Sequence, residues 1–268
     1  MIAMARTILV TNDDGYDSPG LWALVRAARS VSDDVYVVAP SVNQSAVGAG
    51  FTLRRELQWT RINEPPVAGV EAWHVDGTPA DCTMVGLGKL IERPVEIVVS
   101  GVNFGANVGQ DVLASGTVGG ALQGHLRGKV ALAFSQAVGS DGITPQDIDW
   151  TVAERVAASL IRAEMEGELP ANVFLNVNIP RVPYDAIEGV VVTRMGRFGY
   201  VKFMELTAGS GVLERQVDLH TNPDTPPGTD IWALAHNYVS VTPLQANLTD
   251  HRLIDELGQR LNAAFGTA

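Results

Sequence analysis

Short runs of β-branched and aliphatic residues alternate with stretches of helical periodicity along the first half of the chain. Ile8 to Thr11, Val35 to Ala39 and Glu96 to Ser100 read as strands, and Leu21 to Ser30 and Thr117 to Arg127 read as helices. Near-continuous apolar strands separated by helices predict a mostly parallel sheet with both faces covered. Ser18 before Pro19 has the form of a cap followed by a residue pre-set for the first helical turn. Thr78-Pro79-Ala80-Asp81 has the form of a capping box, and its helix carries Cys82, which reads as a small core residue. Between Asp147 and Glu166, Ile148, Val152, Val156 and Leu160 recur at helical spacing, which predicts an amphipathic helix packed on the sheet. Strands are expected at Val173 to Val177, at Gly189 to Thr193 and from Ile231 to Val241. Arg252 to Phe265 reads as a terminal helix, closing the chain within residues 251–265.

The pattern changes after Arg194. GRFGY opens a polar-alternating stretch, Tyr200, Phe203, Val212, Leu213, Val217 and Leu219 continue a strand-like alternation, and HTNPDTPPGTD is rich in Pro and turn formers. The expectation is one α/β domain over residues 1–268, a Rossmann-like doubly wound sheet, with 196–230 a protruding β-ribbon. An isolated ribbon is marginal in water unless another surface buries its apolar face; folding back onto its own core is the alternative. No period of 20 to 50 residues repeats, so solenoids and propellers drop out.

Composition narrows the function classes. The chain has 268 residues, 46% hydrophobic and 18% charged, which describes a soluble globular protein. A net charge of -11 argues against a duplex-binding surface, which needs clustered Lys and Arg. With one cysteine no intrachain disulfide forms. No signal-peptide pattern opens the chain and no apolar run has the length of a membrane span. A cytoplasmic enzyme or binding protein is the expectation.

In a doubly wound sheet, ligands bind beyond the carboxyl ends of the strands, at the point where strand order reverses. The polar residues of this chain cluster in those loops. Asn12-Asp13-Asp14-Gly15 follows the first strand, PSVNQSAVGAG the second, and GVNFGANVGQDVLASGTVGG the strand ending at Ser100. Adjacent carboxylates repel and lose hydration in a cleft, which a hard divalent cation offsets. Free N–H groups at the helix start Ser115-Gly116-Thr117 suit a phosphate. The same residues also suit plainer roles, with Asp-Gly and the asparagines as turn formers and Ser115 or Thr117 as a cap. Gly101, Gly105 and Gly109 lack dinucleotide-binding spacing, and no phosphate-loop lysine or nucleophile elbow is present. His125 and His236 belong to no metal-ligand spacing and read as packed or solvated.

The segments ILVTNDDGYDSPG, VVAP with Gln44-Ser45 downstream, VDGTPADC, VSGVNFGANVG, ASGTVGGA, LNVNIP and YVSVTPL resemble the SurE family of stationary-phase survival nucleotidases. They run in order from residue 7 to residue 244. The resemblance implies a Rossmann-like core with a C-terminal hairpin region used in assembly as a homodimer or homotetramer. It implies a metal-dependent phosphatase acting on nucleoside monophosphates or another phosphomonoester, with one divalent ion, Mg²⁺ or Mn²⁺, per subunit. Carried over by position, the metal ligands fall on Asp13, Asp14, Ser45 and Asn103, and the phosphate-side residues on Asn107, Ser115, Gly116 and Thr117. The chain departs from the family where many members read APDRxxSG, having Ser41-Val42-Asn43-Gln44-Ser45-Ala46 after Ala39-Pro40. It also has Tyr16-Asp17-Ser18 after NDDG and Ala114 before SGT. These departures spare the ligand positions and bear on substrate choice.

The chemistry expected is hydrolysis by a metal-activated water, with Asp13 or Asp14 orienting or deprotonating it and Asn107 stabilising the transition state. The rivals are a phosphatase with an aspartyl-phosphate intermediate on Asp13, a nucleotide- or phosphate-binding sensor without turnover, and a Rossmann oxidoreductase, which the glycine spacing disfavours.

Overall fold

Ile8, Leu9 and Val10 form the middle of β1 (Thr7–Thr11), and all three are fully buried. The computed structural model describes residues 6–139, 142–197, 201–207, 210–215 and 225–265. After β1 the elements are α1 (Pro19–Arg29), β2 (Val35–Pro40), β3 (Trp59–Arg61), β4 (Glu71–Val75), α2 (Pro79–Val85), β5 (Val95–Phe104), α3 (Gly116–His125), β6 (Val130–Gln136), α4 (Thr151–Met165) and β7 (Phe174–Ile179). Then follow β8 (Gly189–Val192), β9 (Val201–Thr207), β10 (Ser210–Arg215), α5 (Asp230–Ala235), β11 (Tyr238–Pro243) and α6 (Ile254–Phe265).

The main sheet has nine strands in the order β3-β4-β2-β1-β5-β6-β7-β11-β8. From β4 to β7 every pair is parallel. β3 is antiparallel to β4, β11 is antiparallel to β7, and β8 runs parallel to β11. The strand order reverses between β1 and β5, which makes their carboxyl ends the switch point of a doubly wound sheet.

Period-two alternation sends Ile8 and Val10 to one face and Leu9 to the other. Ile8 and Val10 join Leu21, Leu24 and Val25 of α1 and Val156 and Ile161 of α4 in the larger core cluster. On the opposite face Leu9, Val38 and Val98 pack with Cys82 of α2, whose thiol pKa burial pushes well up, so it is an inert core group. Ala131 and Ala133 pack with Val118 and Ala121 of α3. α3 owes its position to small residues. A Cβ at Gly124 would lie 2.6 Å from Val98 Cβ, and one at Gly119 2.3 Å from the Gly48 carbonyl oxygen.

Several expectations need correction. The stretch Ile231 to Val241 is not one strand. Thr229 caps a helix there by accepting the Trp232 N–H, Ile231 and Leu234 turn inward together onto Ala106, Val108 and Ala137, and Asn237 at φ 60° ends the helix before β11 begins. A β-branched residue within an apolar run masks a helical period this short. Ser18 occupies the N-cap position in extended backbone, yet its hydroxyl makes no cap hydrogen bond and is buried without a partner. Pro19 beside it has no N–H to offer. Thr78 and Asp81 do form the reciprocal capping box. α4 begins at Thr151, because Thr144 and Asp147 close a separate 3-10 turn before it. β5 runs past Ser100 to Phe104, with a register shift between Ser100 and Asn103, so Asn103 pairs with Ser135 instead of lying in a loop. β9 and β10 pair antiparallel as a two-stranded sheet, while Tyr200, Val217 and Leu219 lie outside the described residues. Among the described residues no helix is long and apolar enough to cross a membrane.

α1 approaches the sheet so closely that a Cβ at Gly20 would lie 2.1 Å from the Val102 carbonyl oxygen and 3.0 Å from the Trp150 ring. Backbone and a buried indole cannot yield as a flexible side chain can. Gly20→Ala is expected to lower stability by about 3 kcal/mol, read as a lower urea midpoint at unchanged m-value.

Candidate functional site at the β1 and β5 strand ends

The chain leaves β1 in a turn closed by Asn12, whose Nδ2 donates to the Gly15 carbonyl at 2.8 Å. Gly15 adopts φ +102°, a conformation that favours glycine. The Tyr16 N–H donates to the Pro40 carbonyl at 2.9 Å, and the Trp22 indole donates to the Tyr16 carbonyl, so the turn is pinned to both β2 and α1. These contacts hold two carboxylates at the switch point. Asp13 is 3% exposed, whereas Asp14 is half-buried.

Asp13 meets the start of α3. The Thr117 hydroxyl donates to Asp13 Oδ1, and a Cβ at Gly116 would lie 2.8 Å from Asp13 Cβ and 2.9 Å from Oδ2. Only glycine leaves that carboxylate its place. Asp14 faces the other loops, with Oδ2 accepting the Phe104 N–H at 2.9 Å and Oδ1 lying 3.4 Å from Asn43 Nδ2. The Gln44 N–H donates to the Asp13 carbonyl at 2.7 Å, and the Gly48 N–H donates to the Ala114 carbonyl at 2.8 Å. The loop after β2 is therefore stitched to both the β1 turn and the start of α3. Ser45 is exposed on this loop, its N–H donating to Asn43 Oδ1.

Asn103 is buried, and its Nδ2 donates to the Gly105 carbonyl at 2.7 Å. Asn107 is also buried, and its Nδ2 donates to Ser135 Oγ at 2.9 Å. Its backbone is gripped by β7: the Asn107 N–H donates to Asn178 Oδ1, and its carbonyl accepts from Asn176 Nδ2 and Asn178 Nδ2. The Ser115 hydroxyl accepts the Val118 N–H at 3.1 Å, the capping role open to it from the sequence. Gly116 and Thr117 occupy the first helical positions, whose N–H groups have no carbonyl four residues back within the helix.

Sequence reasoning missed Asn176, Asn178, Ser135, Asn43 and Asp230. The signal for the first two was present: asparagines two apart in a buried strand share one face, and a buried amide requires partners there. Asp230 is fully buried and accepts three backbone N–H bonds; burial pushes its carboxyl pKa up, and the bonds from Gly109, Gly196 and Ile231 hold it back. His125 stacks on Phe174 and His236 on Trp232, in keeping with packing roles. Thr11 Oγ1, Asn12 Oδ1 and Ser100 Oγ are buried at this same edge of the sheet without hydrogen-bond partners among the described residues. Among the described residues no three His, Cys, Asp or Glu side chains gather into a metal-holding group, so a cation here depends on the two carboxylates supplemented by neutral oxygens.

The family model described as "Survival protein SurE" matches residues 8–202. A protein named 5'-nucleotidase SurE from Methylocella silvestris is 42% identical over 257 residues, covering 95% of this chain and 99% of that protein. One of the same name from Dehalococcoides mccartyi is 41% identical, covering 90% of this chain and 89% of its own length. Among solved structures, the SurE protein from Aquifex aeolicus superposes with a TM-score of 0.77 at 34% identity, covering 93% of this chain and 97% of that one. With the family model extending from β1 into β9 and these relatives spanning nearly their full lengths, the chain belongs to the SurE family.

Proposed function

We propose that this chain is a 5'-nucleotidase, a phosphomonoesterase that hydrolyses nucleoside 5'- and/or 3'-monophosphates at the β1 and β5 strand ends. The observation that carries this reading is the contact between Asp13 and the first turn of α3. A helix start of this kind attracts phosphate, yet a buried carboxylate lies against it and repels one. A cation held at this site would offset the repulsion, and the substrate class follows from the relatives named 5'-nucleotidase.

The donors fit such an ion. Asp13, Asp14, Ser45 and Asn103 offer carboxylate, hydroxyl and amide oxygens only, the set preferred by Mg²⁺ or Mn²⁺, and Gly116 keeps open the space beside Asp13 Oδ2 that a Cβ would fill. One such ion per subunit supplies Lewis acidity toward the phosphoryl group and the attacking water. The protein's own residues do the rest. The N–H groups of Gly116 and Thr117 and the amide of Asn107 receive the phosphate oxygens and hold the phosphorus in line with water. Asp14 takes the proton of the attacking water; what supports it over Asp13 is its greater exposure. As the new P–O bond forms, the ester P–O bond breaks and the nucleoside departs as an alcohol, taking up a proton.

We extend the reading to assembly. Residues 196–230 contain the paired strands β9 and β10, which are separate from the main sheet, and α6 leaves Ile254, Leu257, Leu261 and Phe265 exposed. An apolar helix face and a two-stranded ribbon both gain from a neighbouring chain, which supports a homodimer or homotetramer.

Asp13→Asn and Asp14→Asn are expected to lower kcat by about a thousandfold or more on nucleoside monophosphates. EDTA is expected to silence the wild type and Mn²⁺ to restore it; full activity in EDTA would remove the metal from the mechanism. Gly116→Ala, verified as folded by circular dichroism, is expected to lose about a hundredfold in kcat/KM because Asp13 and the helix start are pushed apart. Light scattering of the purified chain is expected to give two or four times the 28.5 kDa subunit mass, and a 28.5 kDa species at micromolar concentration would refute the assembly reading.

A further inference from the structure

Asp230 is the most completely enclosed carboxylate among the described residues. It sits at the first position of α5, far along the chain from the strand-end loops, and among the described residues neither oxygen meets a basic side chain. Oδ2 accepts the Gly109 N–H at 2.7 Å, while Oδ1 accepts the Gly196 N–H at 2.8 Å and the Ile231 N–H at 2.9 Å. One side chain thus fastens three segments: the loop leaving β5, the chain leaving β8, and its own helix start. Around it Asp230 N–H donates to the Arg194 carbonyl and Arg194 N–H to the Gly228 carbonyl, so both feet of the 196–230 excursion meet at this carboxylate.

The loop it holds is the one that presents Asn107. Gly109 stands two residues beyond Asn107 at φ +56°, and the packing of Ala106 and Val108 on Ile231 and Leu234 seats the residues on either side of Asn107 on α5 itself. The β7 asparagines grip the loop at Asn107. Asp230 grips it two residues further on, at Gly109. A buried carboxylate is costly unless its hydrogen bonds are worth the desolvation, and a neutral residue could not accept all three N–H groups.

We infer that Asp230 is a positioning residue for phosphate recognition: by holding the Gly109 N–H it fixes the loop that aims Asn107, and through the Gly196 N–H it ties that loop to the base of the 196–230 excursion. The inference rests on the reading of Asn107 as a phosphate contact. It predicts an effect with a distinctive sign. Removing a negative charge near an anion site would by itself tighten phosphate binding, whereas loosening the loop weakens it.

The test is Asp230→Asn, which preserves shape but turns one acceptor into a donor facing an N–H, assayed beside Asn107→Ala. Inorganic phosphate as a competitive inhibitor and a nucleoside monophosphate as substrate are the probes. In Asp230→Asn the phosphate inhibition constant and KM are expected to rise roughly ten- to hundredfold, the worth of a hydrogen bond to a charged group, with Mn²⁺ affinity by calorimetry unchanged. A folded Asp230→Asn protein with an unchanged or lower phosphate inhibition constant overturns the inference while Asn107→Ala still reports on the phosphate reading. If Asn107→Ala leaves phosphate inhibition unchanged, that reading fails and the inference falls with it. Should Asp230→Asn not fold, amide hydrogen exchange on the wild type decides: strand-like protection at Gly109 supports the inference, and rapid exchange there overturns it.

Discussion

The strand-end site turns on the fit of Asp13 against Gly116 and Thr117. Thr117 supplies a hydroxyl that orients the carboxylate, Gly116 supplies the missing side chain that lets it approach, and β1 supplies the rigid support from which Asp13 projects. Any side chain at 116 would have to displace Asp13 Cβ, and Asp13 cannot retreat because its own carbonyl is held by the loop after β2. The constraint then spreads outward. The loop after β2 must lie across the start of α3, which it does through Gly48 and Ala114, and β5 must carry Phe104 to Asp14, which its extension past Ser100 allows.

Behind this contact stands a layer of neutral polar groups. Ser135 near the end of β6 and Asn176 and Asn178 in the middle and near the end of β7 are fully buried, and their hydrogen bonds converge on a single residue, Asn107. Amides and hydroxyls of this kind rigidify a loop without adding charge beside the two aspartates. Buried polar networks are strongest when their members are satisfied; here the Asn107 backbone has both its donor and its acceptor engaged, while Asn176 Oδ1 is buried without a hydrogen-bond partner among the described residues. The chain carries a net charge of -11, and among the described residues the groups gathered at these strand ends are carboxylates, backbone N–H groups and oriented amides.

The sheet and the loops were largely legible because their signals are local. Ile8 to Thr11 and Val35 to Ala39 are apolar runs with no other use in water, and Thr78 to Asp81 carries its cap in four consecutive residues. Asp13, Asp14, Gly116 and Thr117 could be gathered because doubly wound topology sends every strand end to one edge. What escaped reading depends on distant partners. α5 forms because Ile231 and Leu234 find Ala106 and Val108, more than a hundred residues earlier. β3 and β4 are brief, and β3 is exposed throughout, so neither carries an apolar run to notice. Ser18 looks like a cap by type, yet its hydroxyl makes no such bond. The asparagines of β7 could be seen as buried amides, but nothing nearby in sequence says that Asn107 receives them.

The glycines of α3 make that helix dependent on its surroundings. Gly116, Gly119, Gly120 and Gly124 fall within ten residues, and each glycine in a helix interior weakens an isolated helix by about 1 kcal/mol relative to alanine. The segment has little tendency to be helical by itself; the walls it fits, Val98, the Gly48 loop and Asp13, hold it in shape. Its helical form therefore depends on the tertiary contacts that β1, β5 and the loop after β2 supply. Without those walls the chain keeps its two aspartates but loses the helix start that lies against Asp13.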